Sequence, residues 1–401
     1  MGRNSHFQSG RKPLQDHPDL QLRPSHVSGP IPFLNPTWAW YTPHSRDHPT
    51  QLSDKPKHVQ HVWRSRDNRK GRHALRVDYG IAPEDSECLP PHPTSTWQVA
   101  LRGLFEWEPT LPIGMSLTLL PSYLRLDRLC GLPDTEFADE SLTGGGVTAL
   151  IGATIFEIGS VLLLLEAVNE NQTGCFGWAL KEELKRADSH TSRDVVVTRV
   201  KPTMEKCQHH QATKKNLLDI WPKRSHELRL HLLSHFRWLP SWAEIKSHYI
   251  HELGFLASLV QFIAATIFWI AGFTALPGIN NYLSQGLADG VYWTPQIVGG
   301  IGFVISGLLF ALETQKAWYK PALNVLGWHI GVWNFIGGIG FTLCGALGPA
   351  ASDSSVEYQA TLATFWGSWA FMIGSTIQWF ESLQKHPVEK VGKPSSTTGI
   401  K

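Results

Sequence analysis

Five stretches of this chain, at about 147–168, 253–276, 295–314, 323–347 and 362–381, are predominantly apolar and long enough to matter. A helix needs about 20 such residues to cross a hydrocarbon core roughly 30 Å thick. Helix is also the form required, because a lipid-exposed strand leaves its backbone groups unpaired. The chain average conceals these stretches: mean hydropathy is −0.15 and charged residues make up 17%. The halves differ, since residues 1–146 are rich in Pro, His and Arg while 253–381 carry the long apolar runs and few charges. The expected fold class is all-α, a polytopic transmembrane helical bundle behind a polar, largely disordered N-terminal tail over 1–100.

Loop charges set the expected orientation. The connectors PGINNYLSQGLADGVYW and PAASDSSVEYQAT hold no Lys or Arg, whereas QKAWYKPA holds Lys316 and Lys320, and the tail over 382–401 holds Lys385, Lys390, Lys393 and Lys401. The positive-inside rule places the Lys-bearing stretches in the cytosol. The 169–251 loop, with fourteen Lys and Arg, falls on the same side. Five spans would then leave the N-terminal tail outside, yet HVWRSRDNRKGRHALR sets Arg64, Arg66, Arg69, Lys70, Arg72 and Arg76 against Asp67 alone. A sixth span before Thr148 restores parity. The candidate, LFEWEPTLPIGMSLTLLPSYL, is broken by Glu106, Glu108, Pro109, Pro112 and Pro121, so 101–146 is expected to hold a degraded or re-entrant first span and an acidic loop.

The spans repeat. Gly152, Phe156, Gly159 and Glu166 match Gly299, Phe303, Ser306 and Glu313, and again Gly367, Phe371, Gly374 and Glu381, at identical spacing. Gly254, Gln261, Phe268 and Gly272 match Gly327, Asn334, Phe341 and Gly345. The expected bundle is thus built from repeated helical hairpins, two complete and one represented by its second helix. The small residues and the acid lie seven apart, nearly on one helix face, and small faces let helices approach closely in lipid.

This pattern names the candidate polar residues. Glu166, Glu313 and Glu381 fall together at the cytosolic boundary, either as a ring of acids or separately among headgroups, with Lys316 and Lys385 as neighbours. Glu157 lies mid-span where its sister positions are Val304 and Met372. A charge there costs a few kcal/mol, so it is expected to be protonated, paired, or turned to a watery cavity or another helix. Gln261 and Asn334 hold equivalent mid-span positions, as the lining of a polar path or as hydrogen bonds between helices. His329 is a candidate proton relay or a satisfied neighbour. SHELRLHLLSHFRWLPSW reads as an interfacial amphipathic helix.

Several classes are excluded as expectations. Cys88, Cys130, Cys175, Cys207 and Cys344 show no paired spacing, so neither a disulfide framework nor a metal is expected. Nucleotide and hydrolase motifs are absent, so no cofactor and no enzyme activity is expected. A net charge of +2 does not call for nucleic acid, and the basic run reads as a solvated tail. The first twenty residues lack an apolar core, leaving targeting to the first span.

TPHSRDHPTQLSDKPKHVQHVWRSRDN, GATIFEIGSVLLLLEAVNEN, HELGFLASLVQF, YWTPQIVGGIGF, LETQKAWYKPALNVLGWHIG and EYQATLATFWGSWAF resemble an uncharacterised family of multi-pass integral membrane proteins of filamentous fungi, over about 33–390. The resemblance implies a polytopic protein with a soluble N-terminal tail and assigns no activity. Relatives look as if they carry an aromatic-rich span where this chain has 101–135. Two functional readings stand open: a transporter or channel for a small solute or ion, and a non-catalytic scaffold, sensor or lipid-organising protein. The expected surroundings are a plasma membrane or endomembrane bilayer. Cytosolic partners of the tail and the 169–251 loop, and self-association, fit either reading.

Overall fold

The computed structural model describes residues 20–43, 59–70, 74–78, 145–168, 239–382 and 388–391. The expected re-entrant region over 101–144 and the amphipathic helix before residue 239 lie outside the described residues. Within them, α2 (Gly145–Val168), α3 (Leu253–Thr274), α4 (Thr294–Glu313), α5 (Leu326–Leu347) and α6 (Ser354–Ser382) form a bundle in which each helix packs chiefly on the next in sequence. A four-residue helix and a π turn at Asp289–Trp293 extend α4 backwards, so its helical run is Gln285–Glu313.

Four of these helices are long and apolar enough to cross a membrane: Gly145–Val168, Leu253–Thr274, Gln285–Glu313 and Leu326–Ala350. The fifth expected span, 362–381, lies inside α6, which has the length at 29 residues. Its Trp, Thr, Ser and Gln residues leave it less apolar than the other four, so length and composition together mark four spans.

Glycine sets the closeness of the packing. A Cβ on Gly307 of α4 would stand 2.5 Å from the Phe335 nitrogen of α5, and one on Gly340 of α5 would stand 2.7 Å from the Gly367 Cα of α6. Helices this near gain dispersion contacts and nothing larger than glycine fits between them.

The chain is not all-α. β1 (Leu20–Ser28), β2 (Trp38–Pro43), β3 (Val59–Arg64) and β4 (Ala74–Asp78) form an antiparallel sheet in sequence order, and β5 (Val388–Val391) adds to β4 in parallel. This corrects the expectation of a disordered tail for residues 20–43, 59–70 and 74–78. The physical reason is a period of two within WAWYTP: Ala39 and Tyr41 are buried with Val27 and Trp63, while Trp38 and Trp40 stand on the other face.

The sheet docks on one end of the bundle. The Asn35 amide donates to Glu252 at 2.5 Å, its backbone N–H to the His251 carbonyl at 2.9 Å, and the Thr37 hydroxyl to the Gln315 carbonyl at 3.2 Å. Asp78 therefore lies at the docked end. Gly145 lies at the other, because α2 rises about 1.5 Å per residue towards Val168, whose carbonyl accepts from the Tyr249 hydroxyl beside the sheet.

Candidate functional site

The turn after β3 carries the site. α1 (Ser65–Arg69) begins as Ser65 N–H donates to the Thr37 carbonyl at 2.9 Å, which fixes the helix against β2. On one helical turn, residues three and four apart share a face, so Arg66, Arg69 and Lys70 point together at the bundle. Glu166, Glu313 and Glu381 stand at the C-terminal ends of α2, α4 and α6, and all three are buried.

The two sets meet. Arg66 Nε and Nη2 donate to Glu381 Oε1 and Oε2 at 3.1 and 2.8 Å, a two-pronged pairing. Arg69 divides its guanidinium: Nη1 donates to Glu166 at 2.7 Å and Nη2 to Glu313 at 2.8 Å. Ser65 Oγ donates to the other Glu313 oxygen at 2.9 Å, and Phe310 lies 5.3 Å beneath the Arg69 guanidinium. Burial would lower the Arg69 pKa, but the charges of Glu313 and Glu166 more than offset it, and the guanidinium is held more firmly protonated than usual. Lys70, partly buried, is pulled down to about 8, chiefly by burial and with the help of Arg66 and Arg69, against the attraction of Glu166 and Glu381.

Two glycines make room for the arginines. A Cβ on Gly254 would stand 2.9 Å from Arg69 Nε, and one on Gly327 would stand 2.5 Å from Arg66 Nε. These are matching positions at the starts of α3 and α5, each receiving one cation.

The acids are thus gathered, and their partners are arginines of α1. Lys316, expected beside Glu313, instead places its ammonium 3.7 Å over the Trp38 ring. The basic run is not a solvated face at Arg66 and Arg69, which are 4% and 3% exposed. Lys385 lies outside the described residues.

Beneath the cap is a narrow cavity between the helices, with room for about two water molecules. Gln261 and Asn334 line it together, with Ser160, Ser375 and Gln378, and Arg66, Arg69 and Lys70 form its roof. Its floor is aromatic. Phe156, Phe303 and Phe371, the matching phenylalanines of α2, α4 and α6, lie with ring centroids 4.9–5.9 Å apart. Phe268 of α3 and Phe341 of α5 join them at 5.2–5.5 Å, with Phe268 tilted on Phe303 and Phe341 and with Phe341 stacked on Phe371, arrangements that phenyl rings favour. On the far side of this cluster a larger cavity opens, lined by Thr148, Gln296, Cys344 and Ser368 and sharing Phe156 and Phe371 with the first.

Glu157 and His329 belong to neither cavity. Glu157 lies on the α2–α3 seam, accepting from the Thr266 hydroxyl at 3.0 Å and from Ser160 at 3.3 Å. His329 Nε2 is 2.7 Å from the Leu323 carbonyl, and the ring rests edge-on to Trp328. Among the described residues no three His, Cys, Asp or Glu side chains group to hold a metal.

Comparison of the chain with family models, with curated proteins and with solved structures finds no match.

Proposed function

We propose that this chain is a multi-pass integral membrane protein that carries a small ion or solute along the axis of its bundle, here in a closed state. The observation that supports this most is the stacking of two cavities on one five-phenylalanine cluster, beneath a cap of paired charges. Cavities on either side of a hydrophobic constriction are the parts a gated path requires. The matching sequence positions of the phenylalanines, the glutamates and the two amides fit a path built from hairpin repeats of parallel orientation.

The same reading orients the protein. The capped end carries the basic segments and faces the cytosol under the positive-inside rule. Asp78 and Gly145 sit at opposite ends of the bundle. Tags at residues 1 and 401 are then both protected from external protease in sealed right-side-out vesicles.

The deciding experiment reconstitutes the full chain in liposomes and records conductance across a KCl gradient. Wild type conducts weakly, and Phe303→Ala, which thins the aromatic floor, conducts more. Liposomes with either protein that match empty liposomes would sink the path reading. A folded, docked and non-conducting protein is instead a scaffold, sensor or lipid-organising protein.

A further inference from the structure

The capped cavity has a chemical bias. Its roof is cationic, with Arg66, Arg69 and Lys70 all lining it, while no carboxylate does. The acids approach the arginines from elsewhere: Arg69 spends both terminal nitrogens on Glu166 and Glu313. Its Nε is left buried without an acceptor. The Lys70 ammonium forms no ion pair among the described residues. Opposite them Asn334, 8% exposed, holds its Oδ1 without a donor.

Buried polar groups in native proteins are nearly always satisfied, and those that are not point to a bound water, ion or ligand. Here the open groups are of both kinds. Arg69, Lys70 and Asn334 line one space of about two waters. An anion satisfies the donors, and one water or an anion's own hydroxyl satisfies Asn334. A cation is disfavoured, because it would meet three like charges and no carboxylate.

Size and charge narrow the class. The space excludes a nucleotide, a sugar phosphate or a dicarboxylate. Arg66 and Arg69 are paired with Glu381, Glu166 and Glu313, and Lys70 is the one cation of the three with no ion pair among the described residues, so a single positive charge is open to a bound ion. We propose that the cavity binds one small monovalent anion, of the halide, nitrate or hydrogen-carbonate class, between Lys70, Arg69 Nε and the Asn334 amide. This deepens the conduction reading and rests on it for one point alone, that the bound anion is cargo.

Binding is testable without flux. The full chain in detergent is titrated with sodium nitrate, and separately with sodium chloride, against sodium gluconate at constant ionic strength, by calorimetry. One saturable site per chain is expected. Lys70→Met removes a charge-assisted hydrogen bond and weakens nitrate about tenfold or more, while Lys70→Arg retains binding. Asn334→Leu weakens it independently, and thermal unfolding checks that each variant is folded. No saturable binding by wild type overturns the proposal, as does binding that neither Lys70→Met nor Asn334→Leu changes, which places the anion elsewhere. Nitrate bound in detergent with no conductance in liposomes leaves this site standing and removes the path. Conductance with no nitrate or chloride site does the reverse.

Discussion

Replacing Arg69 by Leu should detach the cap. Arg69 is almost fully buried and makes two charge-assisted hydrogen bonds, at 2.7 Å to Glu166 and 2.8 Å to Glu313. An exposed pair of this kind would be worth about 0–1 kcal/mol. A buried one differs, because losing one partner strands the other charge out of water, at about 3–5 kcal/mol. Arg69→Leu strands two carboxylates, and the chain escapes the penalty by lifting α1 away so that water reaches them. The undocking equilibrium should therefore shift by about 3–5 kcal/mol, which is roughly 10²- to 10³-fold. Hydrogen exchange reads this directly at the Asn35 backbone amide, which donates to the His251 carbonyl across the docking interface. It should lose protection by that factor, while amides in the middle of α4 and α5 keep theirs. The triple variant Arg69→Leu, Glu166→Gln, Glu313→Gln removes the charges together and should recover most of the loss, as replacing a whole buried ionic group commonly does. A single variant that exchanges like wild type, or a triple variant no better than the single, would refute the electrostatic account of docking.

Gly327→Ala should weaken docking without altering any charge, since its Cβ would fall 2.5 Å from Arg66 Nε; faster tryptic cleavage at Arg66 and Lys70 is the readout. Phe303→Ala should cost about 3–5 kcal/mol of bundle stability in thermal unfolding, because Phe303 is 1% exposed at the centre of the aromatic cluster. Lys70 gives a pH dependence of definite sign. Its folded pKa is lowered from 10.5 to about 8, so between those values the unfolded chain holds a proton that the folded chain has released. Stability from this group rises as pH climbs from about 8 to about 10.5 and is flat below; Lys70→Met should abolish that slope.

The approach of Glu166, Glu313 and Glu381 is readable from the chain alone. Each ends a helix running the same way, and each closes a stripe of small residues at a spacing of seven, so the packing that joins the stripes joins the acids. Gln261 and Asn334 share a cavity for the same reason. Glu157 was singled out for its depth in an apolar helix, but depth does not say which seam a side chain enters, and Thr266 of α3 is the partner it meets. The arginines were the larger miss. Their ion-pair partners are 97 to 315 residues distant, and no local pattern distinguishes a basic run bound for water from one bound for buried carboxylates. The one available signal was numerical: Arg66, Arg69 and Lys70 at helical spacing equal the three acids in number. The sheet was hidden by Pro and His around short strands, though Trp38 to Tyr41 alternate as a half-buried strand does.

The order in which the parts are made gives the cap a further role. Residues 20–78 leave the ribosome before the bundle helices, yet Arg66 needs Glu381 and β4 needs β5, both near the last residues described. Domains generally fold from the N-terminus as they are synthesised. This one cannot finish until α6 and β5 have been delivered, so closure of the sheet records that the bundle has been made through to β5. A ribosome product stopped before Glu381 would carry an arginine with nowhere to go and an open strand edge at β4. It is distinguishable from a chain that carries Glu381 and β5 by any quality-control factor that recognises either.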